Sequence, residues 1–178
     1  MLAKPQFVIE AALAPDYDAA SRVVVASYRD LLGDKLDAGY AKHLGDVATR
    51  AQVSQVYVAR EASRVVGTVT YVNDPSSPMA EGLLAGETEV RMLAVDPSFQ
   101  GRGYGRLLAQ HCIELAIADG AQALFLHSTQ FMTKAHRLYE SLGFVRTPAR
   151  DFQVNPEVLL LAFRLPLVGQ SDNSKAQR

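Results

Sequence analysis

Cysteine is almost absent from this chain: Cys112 stands alone among 178 residues. A single thiol excludes an intrachain disulfide and any cysteine-rich metal knot, and it fits a reducing compartment. No apolar run approaches the roughly 20 residues of a membrane span, and the opening residues Met1 to Gln6 lack the basic and then apolar pattern of a secretory leader. A soluble, cytoplasmic protein with no membrane partner is the expectation. Excess positive charge is missing too. The formal net charge is -1, and without a surface crowded with Lys and Arg a general nucleic-acid binder is excluded. What is present is 48% hydrophobic and 21% charged residues, the make-up of one domain with a real core. Residues 1–168 are read as that domain and 169–178 as a polar, disordered tail.

Periodicity divides the first half into a strand at Phe7-Val-Ile-Glu-Ala and an amphipathic helix opened by Pro15-Asp16, with Tyr17, Ala20, Val24 and Tyr28 on one face. Leu31 to Ala51 reads as a loop followed by one helix. Gln55 to Arg60 and Val65 to Val72 are rich in β-branched residues around a short polar turn and form a hairpin. Asn73 to Pro78 breaks the pattern, and a strand runs from about Thr88 to Val95. The second half alternates in type. Tyr104 to Asp119 is a helix stopped by Gly120, and Ala123 to Ser128 is a buried strand. Ala135, Leu138, Tyr139 and Leu142 then fall on one helical face ahead of Gly143. Phe144-Val145 and Val158 to Phe163 are two closing strands joined by a connection around Asp151 to Pro156.

Thr88 to Leu108 carries the chemistry, because it places a strand, a glycine-rich turn and a helix in succession. Gly101, Gly103 and Gly105 let the main chain turn tightly and approach a ligand, while the helix start offers unpaired N–H groups and a positive dipole end. Phosphate groups suit such a place. A dinucleotide fingerprint needs a third glycine or alanine where Arg106 stands, and a P-loop needs Gly-Lys-Ser/Thr, which is absent. Arg102 and Arg106 are either charge-assisted phosphate contacts or solvated surface.

Gln100-Gly-Arg-Gly-Tyr-Gly105, following Met92-Leu-Ala-Val-Asp-Pro97, resembles the pyrophosphate-binding motif of the GNAT acyltransferases, Gln/Arg-x-x-Gly-x-Gly/Ala. Ala135 to Phe144 is similar to that family's second signature, a short helix that carries a tyrosine and ends in Gly-Phe. The resemblance implies an α/β (α+β mixed) fold with a mixed central sheet of about seven strands, splayed at the cofactor and flanked by helices on both faces. It also implies acetyl-CoA as acyl donor and no metal. The main chain of Leu93, Ala94 and Val95 would pair with the pantetheine arm, and Gln100, Gly101, Arg102, Gly103, Tyr104, Gly105 and Arg106 would hold the pyrophosphate. Side chains at Gly103 or Gly105 would obstruct it. Homodimers are common in the family, and nothing in these residues selects one.

A lysine-like amine costs about 4 kcal/mol to deprotonate at neutral pH, so acyl transfer benefits from a base. Glu89 occupies a strand position where several family members place a catalytic glutamate. The alternatives are that Glu89 is a solvated strand-end carboxylate, or that His127 on the neighbouring strand is the base. Tyr139 occupies the general-acid position that protonates the departing thiolate, unless it serves packing alone. Met132 stands where many members have an asparagine that contacts the cofactor, and Ser128 or Thr129 would have to compensate. For the amine acceptor, Tyr28, Asp34, Asp37, Tyr40 and Asp151 are candidate contacts, with the kind of amine left open. The rival classes are a non-catalytic acyl-CoA sensor that keeps the cleft without using it, and a nucleotide-binding protein of another kind.

Overall fold

The computed structural model describes residues 7–167; the tail expected at 169–178 lies outside the described residues. In chain order the elements are β1 (Phe7–Ala11), α1 (Tyr17–Leu32), α2 (Ala38–Gly45), α3 (Val47–Val53), β2 (Gln55–Glu61), β3 (Arg64–Val72), β4 (Glu87–Val95), α4 (Tyr104–Ala118), β5 (Ala123–Thr129), α5 (Thr133–Ser141), β6 (Val145–Arg146), β7 (Phe152–Asn155) and β8 (Val158–Pro166). The strands form one open eight-stranded sheet in the order β1-β2-β3-β4-β5-β8-β6, with β7 also paired to β8. Every pairing is antiparallel except β4 with β5.

Helices cover both faces because the strands carry apolar residues on both. Val56 and Val58 of β2 pack with Ala20, Val23 and Val24 of α1, Leu44 of α2 and Val47 of α3. Ala59 and Tyr57 face the other way, toward Leu108, Cys112 and Ala116 of α4 and Tyr139 of α5. Period-two alternation along a strand produces this division. Burying both faces leaves a sheet whose central strands read as continuous hydrophobic runs.

The structure departs from the sequence reading in two places. Residues 31–51 hold two helices instead of one. Asp37 caps α2 by accepting from the Tyr40 N–H, and Asp46 caps α3 by accepting from the Thr49 N–H, so only Asp46 separates the end of α2 from the start of α3. Arg50, 3% exposed, then ties the pair together: its guanidinium donates to the Leu44 carbonyl at the end of α2 and to Thr70 Oγ1 on β3. The connection at 151–156 contains β7, which forms a hairpin with β8 through Phe152↔Leu160 and Gln153↔Leu159. Its four residues are all exposed, so it carries none of the buried alternation by which a strand is recognised in sequence.

Candidate active site

β4 and β5 pair from Glu87↔Ala123 to Val90↔Leu126 and then part, although β4 continues to Val95 and β5 to Thr129. A β-bulge accompanies the parting. Met92 takes a φ of 49°, and the register with β3 jumps from Arg91↔Thr70 to Ala94↔Thr68. The extra residue inverts the facing of the strand: Val90 lies in the α4 core, Met92 and Ala94 lie in the α1 core, and Leu93 and Val95 return to the α4 side. Asp96 N–H donates to Val66 O on the β3 side. Main-chain donors alternate sides along such a strand, so the N–H groups of Leu93 and Val95 face the gap left by β5.

The gap runs on into the glycine turn. Gly101 and Gly103 have φ of 77° and 91°, and Gly103 is the N-cap of α4. No protein atom lies within 4 Å of a Cβ built at either position, so the protein requires glycine there for backbone conformation and not for space. Gly105 is different: its φ is ordinary, and an added Cβ would meet Leu138 at 3.6 Å and Val95 at 3.8 Å, which is normal contact. Among the side chains, Tyr104 points into the core against Phe99, leaving only its N–H for a ligand. Arg102 lies over Phe99 and 3.6 Å from Glu61, Arg106 donates to Ser141 Oγ, and Gln100 donates to the Val95 carbonyl at 3.4 Å. Arg102, Arg106 and Gln100 are exposed.

Beyond the splay lies a cavity of about 450 Å³. Its walls come from the α1–α2 region (Tyr28, Tyr40), the bulge (Arg91, Met92), the end of β5 (Ser128, Thr129) and the β7–β8 hairpin. It therefore joins segments from the whole chain.

The chain matches the acetyltransferase (GNAT) family over residues 24–144, more than half its length. It belongs to the GNAT family. Human N-acetylaspartate synthetase is 38% identical over 78 residues, which is 43% of this chain and 26% of that protein, and the Danio rerio protein of the same name is 34% identical over 130 residues, 71% of this chain and 40% of that protein. The [ribosomal protein bS18]-alanine N-acetyltransferase of Salmonella typhimurium is 46% identical over 52 residues, 29% of this chain and 35% of that one. The chain thus spans well under half the length of these curated relatives. In fold it resembles the ribosomal-protein-S18-alanine N-acetyltransferase of Escherichia coli, with a TM-score of 0.69 at 19% identity over 94% of this chain and 98% of that one. It also resembles yncA of Salmonella typhimurium, solved with its cofactor acetyl-CoA, with a TM-score of 0.64 at 20% identity over 93% and 96%.

Within this GNAT fold, Glu89 is completely buried, which removes the solvated strand-end alternative. Its Oε2 accepts from the Glu81 N–H at 2.9 Å, its Oε1 has no partner, and Arg91 Nε stands 3.9 Å away. Burial pushes the carboxyl up to about 7, against the opposing pull of Arg91. Glu89 does not line the cavity itself; Glu81 and His127 stand between, with Glu81 Oε2 3.8 Å from His127 Nδ1. Nothing in the sequence marked Glu81, which sits in the irregular segment between β3 and β4 and belongs to no motif.

Tyr139 is 6% exposed and packs on Phe144 and Phe163, with ring centroids 5.7 and 5.9 Å away. Burial holds its phenol protonated far above the usual range. It is not part of the cavity wall. Ser128, Thr129 and Met132 are in that wall; Ser128 Oγ lies 3.5 Å from Met132 Sδ, and Thr129 Oγ1 is buried without a partner. Of the acceptor candidates, Tyr28, Asp37 and Tyr40 line the cavity and Asp34 and Asp151 do not. Asp151 is held elsewhere by both ends of the Arg146 guanidinium and by the Ala162 N–H. No helix among the described residues is long and apolar enough to cross a membrane.

Proposed function

We propose that the protein transfers an acetyl group from acetyl-CoA to a primary amine, directly and within a ternary complex. The observation that carries this reading is the parting of β4 and β5 beyond Val90↔Leu126, which leaves an edge of β4 unpaired between the glycine turn and a cavity near a buried carboxylate. An extended pantetheine arm adds to the free edge as a strand would. The N–H groups of Leu93 and Val95 pair with it, and those from Gly101 to Arg106 hold the pyrophosphate at the start of α4. The relatives act, by name, on aspartate and on an alanine of ribosomal protein bS18, which supports an amine nitrogen as the acceptor.

The acceptor arrives as an ammonium and first loses a proton toward Glu89, whose raised pKa matches it to this task near neutral pH. The neutral nitrogen attacks the thioester carbonyl, and a carbon–nitrogen bond forms while negative charge grows on the oxygen near the Val95 N–H. The carbon–sulfur bond then breaks. Tyr139 gives its proton to the departing thiolate and regains one from the nitrogen, so the cycle releases the amide, CoA and one proton.

Thermal unfolding with and without acetyl-CoA, with NAD and ATP as controls, tests the reading. At about a hundredfold excess over its dissociation constant acetyl-CoA adds about 2.7 kcal/mol of stability. A rise in Tm with acetyl-CoA alone, followed by mass-spectrometric detection of an acetylated product from an amine panel, is the expected result. Equal response to all three ligands, or to none, overturns it.

A further inference from the structure

Residues 73–86 join β3 to β4 without helix or strand, yet part of their main chain is held as firmly as a strand would be. Val90 lies in the α4 core, so Glu87, Glu89 and Arg91 share the opposite face of β4. Each of the three reaches the main chain of segment 79–84. Leu84 N–H donates to Glu87 Oε2 at 3.3 Å, Glu81 N–H donates to Glu89 Oε2 at 2.9 Å, and Arg91 donates to the Met79 carbonyl. The partners descend from 84 to 79 as β4 climbs from 87 to 91, so the segment lies along β4 as a strap running the other way. Charged side chains here stand in for ladder hydrogen bonds, and they satisfy main-chain groups that would otherwise keep the segment in water. Met79 packs in the α1 core, and Glu89 is fully buried.

A fourth contact comes from the far end of the chain. Arg150, between β6 and β7, donates to the Gly82 carbonyl at 2.7 Å, in the middle of the strap. The same guanidinium holds both oxygens of Glu87 at 3.0 Å and lies 3.6 Å over the Phe125 ring of β5. Arg150 is itself fixed to β5, because its carbonyl lies 2.8 Å from His127 Nε2. One fork thus pins the strap, the start of β4 and the face of β5 together, a reach that suits its planar, five-donor geometry. Arg164 completes the charge balance on Glu87 at 2.9 Å but makes no strap contact. Against the opposing pull of burial, these two guanidiniums hold the Glu87 carboxyl below its ordinary value.

Arg150 bears on Glu89 in two ways, and they have opposite signs. Its charge favours the carboxylate, as does that of Arg91, while burial disfavours it and dominates. Loss of the Arg150 charge alone would therefore make Glu89 harder to ionise. Loss of the strap would admit water and make it easier. The other groups near Glu89 are Glu81 of the strap and His127 of β5. On the helix side Tyr28, Tyr40 and Arg50 interact with Arg91; burial raises both phenols, which stay neutral, and Arg50 stays charged.

We infer that Arg150 is a positioning residue for Glu89, acting through the strap: by stapling Gly82 to Glu87 it keeps segment 79–84 closed over β4 and water away from the Glu89 carboxyl. The shielding is a property of the fold. Its effect on rate rests on the acetyl-transfer reading, in which Glu89 takes the proton.

Carbon NMR of the side-chain carboxyl, assigned with Glu89→Gln, titrates Glu89 directly in the full chain, and exchange of the Glu81 and Leu84 amides is followed on the same samples. Wild type should ionise near pH 7. In Arg150→Met the midpoint should fall by about one pH unit or more toward 4.5, while both amides exchange about tenfold faster or more and those of β3 do not change. Arg150→Lys keeps the charge but loses the fork, and should lower the midpoint by a smaller step. Arg164→Met removes a partner of Glu87 without touching the strap, and should leave the midpoint where it is in wild type. A midpoint that rises or stays in Arg150→Met, and stays in Arg150→Lys, would reduce Arg150 to its charge. Equal falls in Arg150→Met and Arg164→Met, or faster exchange throughout the sheet, would reduce it to general stability. A wild-type midpoint near 4.5 would leave nothing to shield. Each of these overturns the inference. The rising limb of the pH–rate profile should move with the carboxyl; a limb that stays while the carboxyl moves defeats Glu89 as the base and leaves the strap standing.

Discussion

The half of the cleft proposed for the cofactor and the half proposed for the acceptor are built from different materials. The cofactor half is main chain: the free edge of β4, the positive-φ glycines and the start of α4, all within residues 87–118. The acceptor half is side chain, contributed by Tyr28, Tyr40, Glu81, Arg91, His127 and Asn155 from six separate segments. Main-chain recognition restricts backbone shape and so leaves glycines at fixed spacing. Side-chain recognition leaves only scattered residues, each of which has an ordinary structural reading in isolation. The two halves should therefore fail differently under mutation.

The largest effect is expected at Gly103→Asp. An L-residue at φ 91° costs about 1–2 kcal/mol, and the new carboxylate faces the phosphate site. Stabilisation by acetyl-CoA should vanish, with affinity down about a thousandfold or more by calorimetry, while the chain remains folded. Retained binding would show that the turn does not hold the pyrophosphate.

On the other half, Glu89→Gln should lower kcat by about a hundred- to a thousandfold and leave acetyl-CoA affinity unchanged. Wild-type activity should rise as pH climbs through about 7, where Glu89 ionises, and that rise should be lost in the variant. The same substitution should stabilise the fold at high pH. The folded state holds the Glu89 proton more tightly than the unfolded chain, so this carboxylate's contribution to stability falls as pH rises from 4.5 to about 7. Above 7 the penalty is complete, on the order of 3 kcal/mol. Glu89→Gln should exceed wild type in Tm at pH 8 and match it near pH 4; equal melting at both would mean the carboxylate is not desolvated.

Tyr139→Phe removes one hydroxyl and keeps the packing on Phe144 and Phe163. A loss of about a hundredfold in kcat with unchanged melting is the expected outcome, and an unaffected rate would assign Tyr139 to the core alone. The smallest effect belongs to Gly105→Ala. The protein has room for that methyl group, so melting should not change, and any loss of acetyl-CoA affinity, about tenfold or less, measures how closely the ligand approaches the backbone.

The fold was legible wherever periodicity was strong, as in Ala135 to Leu142, and wherever a glycine stopped a helix, as at Gly120 and Gly143, both with positive φ. It was not legible at β7, whose residues are exposed, or at the junction of α2 and α3, where a single capping aspartate separates two helices. For the proposed site, the glycine turn, Glu89 and Tyr139 were named from sequence. Their surroundings were not: the solvated reading of Glu89 fails because the carboxyl is fully buried, beside Glu81 from the irregular segment before β4 and His127 from β5.

By itself the sequence determined most of the elements and their order, the glycine turn and the family, because backbone shape and helix phase are local properties written in short patterns. Only the tertiary structure decided that β4 and β5 part beyond Val90, that Tyr104 turns inward, and that Glu81, Glu89 and His127 meet. Those outcomes depend on a bulge at Met92, on core packing and on contacts between distant segments, all of which come into being only when the sheet has closed.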